Sequence, residues 1–202
     1  MKPLVTRNII LIRHGQYNMK GTNDKEKCLT ELGKQQAIYT GIRLNELGLG
    51  SKLNFVMKST QMRARETSDL VCMQLGSGIP VHETDVLREG LPVYPDPPFK
   101  DWRMPDAERV TKDRKRMDEA FDQIFHRAAP DLDHDTYELY ICHGNLIRYL
   151  VYKSLQFPVE AIHRSRLRHC SITWVTIRPS GNVSLKCFGD TGHIPPQKLT
   201  FE

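Results

Sequence analysis

Short apolar runs alternate along this chain with longer stretches whose apolar residues recur at helical spacing. The short runs predict buried strands and the longer stretches predict helices. Strands are predicted at 9–12, 55–59, 137–142, 171–179 and 183–189. Helices are predicted at 30–48, 61–75, 105–129 and 145–155. This alternation predicts an α/β fold, a three-layer sandwich whose mostly parallel central sheet is covered by helices on both faces.

Capping and turn residues mark the ends of several of these elements. Thr30 suits the position before a helix, where its hydroxyl can accept a backbone N–H, and Gly48 suits a helix end. Pro105 is expected near the first turn of the third helix. The residues PSGN at 179–182 predict a hairpin-like turn between the last two strands. Four prolines within 87–99 exclude regular structure there, and a loop of this kind is usually functional or mobile.

The composition is that of an ordinary globular protein with a mildly basic balance. The 202 residues, of which 39% are hydrophobic and 26% charged, predict a single domain over 1–202 with one sizeable core. No apolar run approaches the ~20 residues that span a bilayer. The five cysteines are scattered without a C-x-x-C pair, which argues against a zinc site and against a disulfide framework.

The formal charge of +5 favours anionic partners. No block of lysine and arginine carries interleaved aromatic residues, so nucleic acid is not expected as a partner. The densest basic stretch, at 109–119, is interrupted by acidic residues. We interpret that stretch as the solvated face of a helix.

Chemically active side chains are concentrated where predicted strands end. Arg13 and His14 follow the first strand, and Arg63 lies just after the second. His143 follows the third strand, and Glu89 lies in a turn between helices. Ligands of open α/β sheets bind outside the carboxyl ends of the strands. We therefore expect these side chains to face one site.

These residue types suit phosphoryl chemistry. Arginine holds phosphate oxygens through a planar fork that stays charged. Histidine can be a covalent nucleophile, and a carboxyl near a phosphate can be a general acid. Plainer interpretations exist: a surface turn at 13–14, an ordinary strand-end role for His143, and pairing of Arg63 with Glu66 on its own helix. They leave the joint placement at strand ends unexplained, so the pattern predicts a phosphate-handling α/β enzyme.

Five motifs in order resemble those of the histidine phosphatase, or phosphoglycerate mutase-like, superfamily. They are RHG at 13–15, LTELGKQQA at 29–37, STQMRARET at 59–67, LREG at 87–90 and CHGNLIRYL at 142–150. The resemblance implies that His14 is the catalytic nucleophile that becomes phosphohistidine. It implies that Arg13 and Arg63 bind the phosphate oxygens of the substrate. It further implies that His143 completes the catalytic pocket, that Glu89 donates the proton, and that no metal or other cofactor takes part.

The resemblance is stronger to one branch of that superfamily, the mitochondrial serine/threonine protein phosphatases, through 87–98, 141–151, 154–158 and 189–196. It implies phosphoprotein substrates, a homo-oligomer of at least two subunits and a mitochondrial location. It implies membrane attachment only through an N-terminal anchor, which these residues do not include. Two alternatives stay open: a small-metabolite phosphatase or phosphoglycerate mutase using the same pocket, and a scaffold that binds protein partners.

Overall fold

A computed structural model describes residues 5–98 and 104–201, which form a six-stranded sheet with helices packed against it. The strands are β1 (Arg7–Arg13), β2 (Phe55–Ser59), β3 (Val81–Thr84), β4 (Thr136–Cys142), β5 (Ile172–Ile177) and β6 (Val183–Asp190). The helices are α1 (Glu31–Glu46), α2 (Met62–Leu75), α3 (Ala107–Ile124) and α4 (Gly144–Ser154). Short 3-10 segments lie at Asp24–Glu26, Asp85–Leu87, Val159–Arg164 and Pro196–Lys198.

The strands lie in the order β3-β2-β4-β1-β5-β6. The first four of these run parallel to one another, whereas β5 is antiparallel to β1 and β6 is antiparallel to β5. The pairing of β1 with β4 runs from Arg7 opposite Thr136 to Arg13 opposite Cys142. The mostly parallel sandwich is confirmed, and the carboxyl ends of β1, β2 and β4 lie side by side at one edge.

Both faces of the two central strands are buried against helices. Ile9 and Leu11 of β1 point into a core formed with α3 and α4. Ile10 and Ile12, the alternate residues, point into a second core formed with α1 and α2. A continuous apolar strand is what burial on both faces requires. No helix in the described part of the chain is long and apolar enough to cross a membrane.

Helix ends agree with the predicted caps in one place and differ in another. Thr30 is the N-cap of α1 and accepts the Gly33 N–H at 3.0 Å, as predicted. The bounds 105–129 predicted for the third helix were wrong at both ends. Asp106 is the N-cap of α3, so Pro105 lies outside the helix, and α3 ends at Ile124. Arg7 of β1 donates to the carbonyl of Ile124 at 2.9 Å, which satisfies a helix-end acceptor.

Strand β3 was not predicted, because it carries almost no hydrophobic signal. Its four residues, VHET, lie at the edge of the sheet beside β2, and three of them are exposed. The proline-rich loop has no regular structure from 88 to 98, and buries Leu91 and Val93. The last residue of the predicted loop, Phe99, lies outside the described residues.

Candidate active site

The carboxyl ends of three parallel strands bring two histidines and an arginine together. The rings of His14, after β1, and His143, after β4, have centroids 5.1 Å apart. Arg63, in the first turn of α2 after β2, donates from Nε to Nε2 of His14 at 3.1 Å. All three side chains are buried. Arg63 donates to His14 and Gln61, and Glu66 accepts the backbone N–H of Leu29; the plainer pairing of Arg63 with Glu66 is not found among the described residues.

His14 is held in one tautomer by its hydrogen bonds. Its Nδ1 lies 2.8 Å from the carbonyl oxygen of Gly15. A carbonyl can only accept, so Nδ1 carries the ring proton and Nε2 keeps the lone pair that faces Arg63. Burial, together with His143, Arg63 and Arg13, lowers the pKa of His14 well below its usual value. The ring is therefore neutral at pH 7, the form in which histidine is a nucleophile.

The loop that carries His14 is fixed by the two helices beside it. Thr67 accepts the N–H of Gly15 at 3.0 Å, and the Gln36 side chain accepts the N–H of Gln16 at 2.9 Å. Gly33, in the first turn of α1, lies so close that a Cβ added there would be 1.9 Å from the carbonyl oxygen of Gln16. Helix α1 thus sets the position of the loop.

His143 is also neutral and oriented. Its Nε2 lies 2.9 Å from the hydroxyl of Ser59, the last residue of β2. Its Nδ1 is buried and has no hydrogen-bond partner among the described residues. Burial and the charges of Arg63 and Arg13 lower its pKa well below the usual value. One ring nitrogen of His143 is thus anchored by β2, and the other is left for a ligand.

Glu89 reaches the site from the turn before the proline-rich loop. Its carboxylate accepts the N–H of Gly90 at 3.1 Å and that of Asn145, in the first turn of α4, at 3.2 Å. Gln61 Oε1 accepts the Glu89 N–H at 2.7 Å and an Arg63 N–H at 3.4 Å. The side-chain amide of Gln61 therefore holds the backbone of Glu89 and the side chain of Arg63 together.

Arg116 of α3 holds the backbone of the turn that carries Glu89. It donates to the carbonyl oxygens of Val86 at 3.2 Å and of Glu89 at 3.3 Å, and it also donates to that of Arg88. Asp113 pairs with it at 2.8 Å, and both side chains are largely buried. Interpreting 109–119 as a solvated helix face was therefore wrong for these two residues, although the stretch has several exposed positions.

A cleft of about 1290 Å³ opens beside these groups. Its basic lining residues are Arg13, Lys27, Arg63, Arg109, Arg148 and Arg166, against the acidic Glu89 and Asp106. Arg13 Nη1 donates to the carbonyls of Leu167 at 2.6 Å and Phe201 at 2.8 Å. No group of three or more His, Cys, Asp or Glu within residues 5–98 and 104–201 could hold a metal ion. The cleft is thus suited to an anionic ligand.

One buried histidine of the site was missed by the sequence analysis. His169 lies with its ring centroid 5.5 Å from that of His14. Its Nδ1 is 2.8 Å from the hydroxyl of Thr200. Burial, with Arg13 and Arg63, lowers its pKa to about 3. No local pattern marked it, since it precedes β5 instead of following a strand.

The sequence and the fold of this chain are similar to those of known proteins. The family model described as histidine phosphatase superfamily (branch 1) matches residues 9–190. The protein named serine/threonine-protein phosphatase PGAM5, mitochondrial, of Rattus norvegicus is 47% identical over 199 residues, covering 98% of this chain and 68% of that protein. The Homo sapiens protein of the same name is 46% identical with the same coverage. A crystal structure of phosphoglycerate mutase from Plasmodium falciparum has a TM-score of 0.67 at 28% identity, covering 95% of this chain and 96% of that one.

Proposed function

The chain belongs to the histidine phosphatase superfamily, and from that premise we propose that it hydrolyses phosphoserine and phosphothreonine in proteins through a phosphohistidine at His14. The observation that carries the proposal is the hydrogen bonding of His14. The Gly15 carbonyl holds Nδ1, and Nε2 faces Arg63 at 3.1 Å. The nucleophilic atom thus lies beside a guanidinium that suits the phosphoryl oxygens.

In the first step, Nε2 of His14 attacks phosphorus as the bond from phosphorus to the seryl or threonyl oxygen breaks. The departing oxygen takes the proton of the Glu89 carboxyl, so an alcohol leaves and a phosphohistidine remains. Arg63 and Arg13 bind the equatorial oxygens, over which the negative charge spreads. His143 offers its buried Nδ1 to the same group.

In the second step, water attacks the phosphohistidine and the Glu89 carboxylate takes the proton of that water. Inorganic phosphate leaves, and His14 regains its neutral form with Nδ1–H still donating to the Gly15 carbonyl. Buried donors that are already oriented supply most of the transition-state stabilisation in such sites. Because two arginines and the α4 N-terminus supply the positive charge, we propose that no metal ion takes part.

The substrate class follows from the relatives and from the cleft. Two relatives named as serine/threonine-protein phosphatases share 46–47% identity with nearly the whole chain. The cleft is large and most of its charged lining residues are cations, which suits a phosphorylated protein segment. The likeness to a phosphoglycerate mutase structure makes a phosphorylated metabolite the second candidate. A mutase must keep its phosphohistidine from water, which requires a closed site.

The proposal extends to location and assembly. The relatives are named mitochondrial, which supports a mitochondrial location for this protein. Phosphoproteins are the proposed partners, and a homo-oligomer of at least two subunits is proposed from the family resemblance. Light scattering on the purified chain tests the assembly, and fractionation of cells tests the location.

The first experiment measures phosphate release from a phosphothreonine peptide by the wild type and by His14→Ala, each with and without EDTA. We expect release by the wild type that EDTA does not change and that the variant lacks. Full turnover by a folded His14→Ala protein would contradict the mechanism. Loss of wild-type activity in EDTA would contradict the metal-free step.

The same assay separates the alternatives. Release from 3-phosphoglycerate, with none from the peptide, would favour a metabolite enzyme. A scaffold role would be favoured if His14→Ala retained every cellular effect of the wild type. We expect turnover of the peptide and loss of the cellular effects in the variant.

A further inference from the structure

We infer that His169 is a third imidazole of the phosphate site and donates an N–H from Nε2 to a phosphoryl oxygen. The inference rests on the proposed function, because it assigns a further ligand to the same phosphoryl group. Four observations support it: the position of the ring, an unpaired nitrogen, the hydroxyl that contacts its other nitrogen, and the backbone that connects it to the strand of the nucleophile.

The ring of His169 lies against the nucleophile. His169 is 1% exposed, and its centroid is 5.5 Å from that of His14 and 6.4 Å from that of Tyr17. His143 lies at 5.1 Å from His14. His14 therefore contacts two other imidazoles, of which only His143 follows a parallel strand of the sheet.

Both of these neighbouring rings have a buried nitrogen without a partner. Nδ1 of His143 and Nε2 of His169 make no hydrogen bond with any part of the chain that the structure describes. Buried polar atoms are nearly always paired, and exceptions need an explanation. A phosphoryl group on Nε2 of His14 would bring acceptor oxygens to both nitrogens.

The Thr200 hydroxyl lies between His169 and Gln36. Gln36 Nε2 donates to the hydroxyl oxygen at 2.8 Å, and Nδ1 of His169 lies 2.8 Å from the same oxygen. A hydroxyl has one hydrogen to donate and two lone pairs, so Thr200 can donate to Nδ1 when the ring proton is on Nε2. In the arrangement we infer, the ring proton lies on Nε2 and the unpaired atom is a donor, as an anionic oxygen requires.

The residue after His169 has an unusual backbone conformation and is bonded to the strand end that carries the nucleophile. Cys170 has φ of 56°, in the left-handed region that non-glycine residues seldom adopt. Its amide donates to the carbonyls of Arg13 at 3.0 Å and His14 at 3.2 Å. Strained residues cluster at functional sites, where the surrounding contacts maintain them. The hydrogen bonds of the Cys170 amide tie the segment of His169 to the strand end that carries the nucleophile.

Phosphate affinity tests the inference without requiring turnover. Isothermal titration with inorganic phosphate would compare the wild type with His169→Gln and His169→Asn. The amide nitrogen of glutamine reaches the place of Nε2, whereas that of asparagine reaches only the place of Nδ1. We expect His169→Asn to weaken phosphate binding by about tenfold to a hundredfold, the value of a hydrogen bond to a charged group, and His169→Gln to restore most of it. His126→Gln, which changes an exposed histidine, should bind like the wild type.

A second measurement uses the unaltered protein. Two-bond ¹H–¹⁵N NMR spectra of the histidine rings should show His169 with its proton on Nε2 and a shift of that nitrogen when phosphate is added. A proton on Nδ1, or equal phosphate affinity in the asparagine and glutamine variants, would overturn the inference. If turnover depends on His14 but the affinity and NMR results differ from those expected, only the role of His169 is contradicted. If phosphate binding behaves as expected but the peptide is not turned over, only the proposed function is contradicted.

Discussion

Replacing Gly33 by alanine should impair catalysis while leaving the fold intact, although alanine is the better helix former. Gly33 is the third residue of α1, and local propensity favours alanine there by ~1 kcal/mol. Packing has the opposite effect, because the new Cβ would lie 1.9 Å from the carbonyl oxygen of Gln16, where contacts under 3.0 Å essentially never occur. The loop must therefore retreat from α1 by at least 1.1 Å.

That displacement would reach the nucleophile through the backbone. Gln16 is two residues from His14, and the Gly15 carbonyl between them holds Nδ1 of the ring at 2.8 Å. A misplacement of ~1 Å in an active site can cost ~100-fold in rate. Overpacking costs ~1–3 kcal/mol of stability, which the better propensity of alanine partly offsets. We expect kcat/KM to fall by about 100-fold with a modest loss of stability.

Steady-state hydrolysis of para-nitrophenyl phosphate measures this effect, with thermal unfolding of the same preparations. Gly192→Ala is the matched control, because a Cβ there meets only the Asp190 carboxylate, at 3.3 Å. The control should keep wild-type kinetics. A Gly33→Ala protein with wild-type kcat/KM would refute the claim that α1 sets the position of His14.

Three further predictions concern acid stability, the buried ion pair and the proton donor. Since the pKa of His169 is lowered to about 3, the unfolded chain binds a proton below pH ~6.5 that the folded one does not. His169 alone should lower the free energy of unfolding by about 2 kcal/mol between pH 7 and pH 5, in addition to the loss from His14 and His143, whose pKa values are lowered as well; urea unfolding at both pH values, with a dependence shallower by about that amount in His169→Asn, checks this. Arg7→Met leaves the buried Glu138 carboxylate without its cation and should lower the free energy of unfolding in urea by ~3–5 kcal/mol, with kcat unchanged. Glu89→Gln should slow turnover of a phosphothreonine peptide by ~10²–10⁴-fold but that of para-nitrophenyl phosphate far less, since nitrophenolate leaves without a proton; equal losses on both would argue against a proton donor.

Elements with a strong local signal were predictable from the sequence. The apolar run at 9–12 became the centre of β1, and Thr30 became the N-cap of α1. The residues that follow strands were also predictable as a group. The carboxyl ends of the parallel strands lie at one edge of the sheet. The meeting of Arg13, His14 and His143 could therefore be predicted without knowing any contact between distant residues.

Features that depend on distant contacts were not predictable. Helix α3 ends at Ile124 beside Arg7, a residue 117 positions away that donates a hydrogen bond to the Ile124 carbonyl. His169 contacts Thr200, 31 positions along the chain, through Nδ1. Asp113 and Arg116 looked like helix surface, yet they hold the turn of Glu89. None of these contacts produces a periodic pattern or a short motif in the sequence.

The two ends of β1 and β4 show how one sheet serves stability at one edge and chemistry at the other. At the amino ends, Arg7 makes two hydrogen bonds to Glu138, at 2.7 and 2.6 Å. Thr136 and Tyr140 donate to the remaining positions of the carboxylate. This buried network is saturated and has no site left for a ligand, as a structural ion pair requires. At the carboxyl ends of the same two strands, burial is as complete, but His143 keeps an unpaired nitrogen within the described chain. Unsatisfied buried polar groups cost free energy, and at His143 a phosphoryl group on His14 would satisfy the free nitrogen during the reaction.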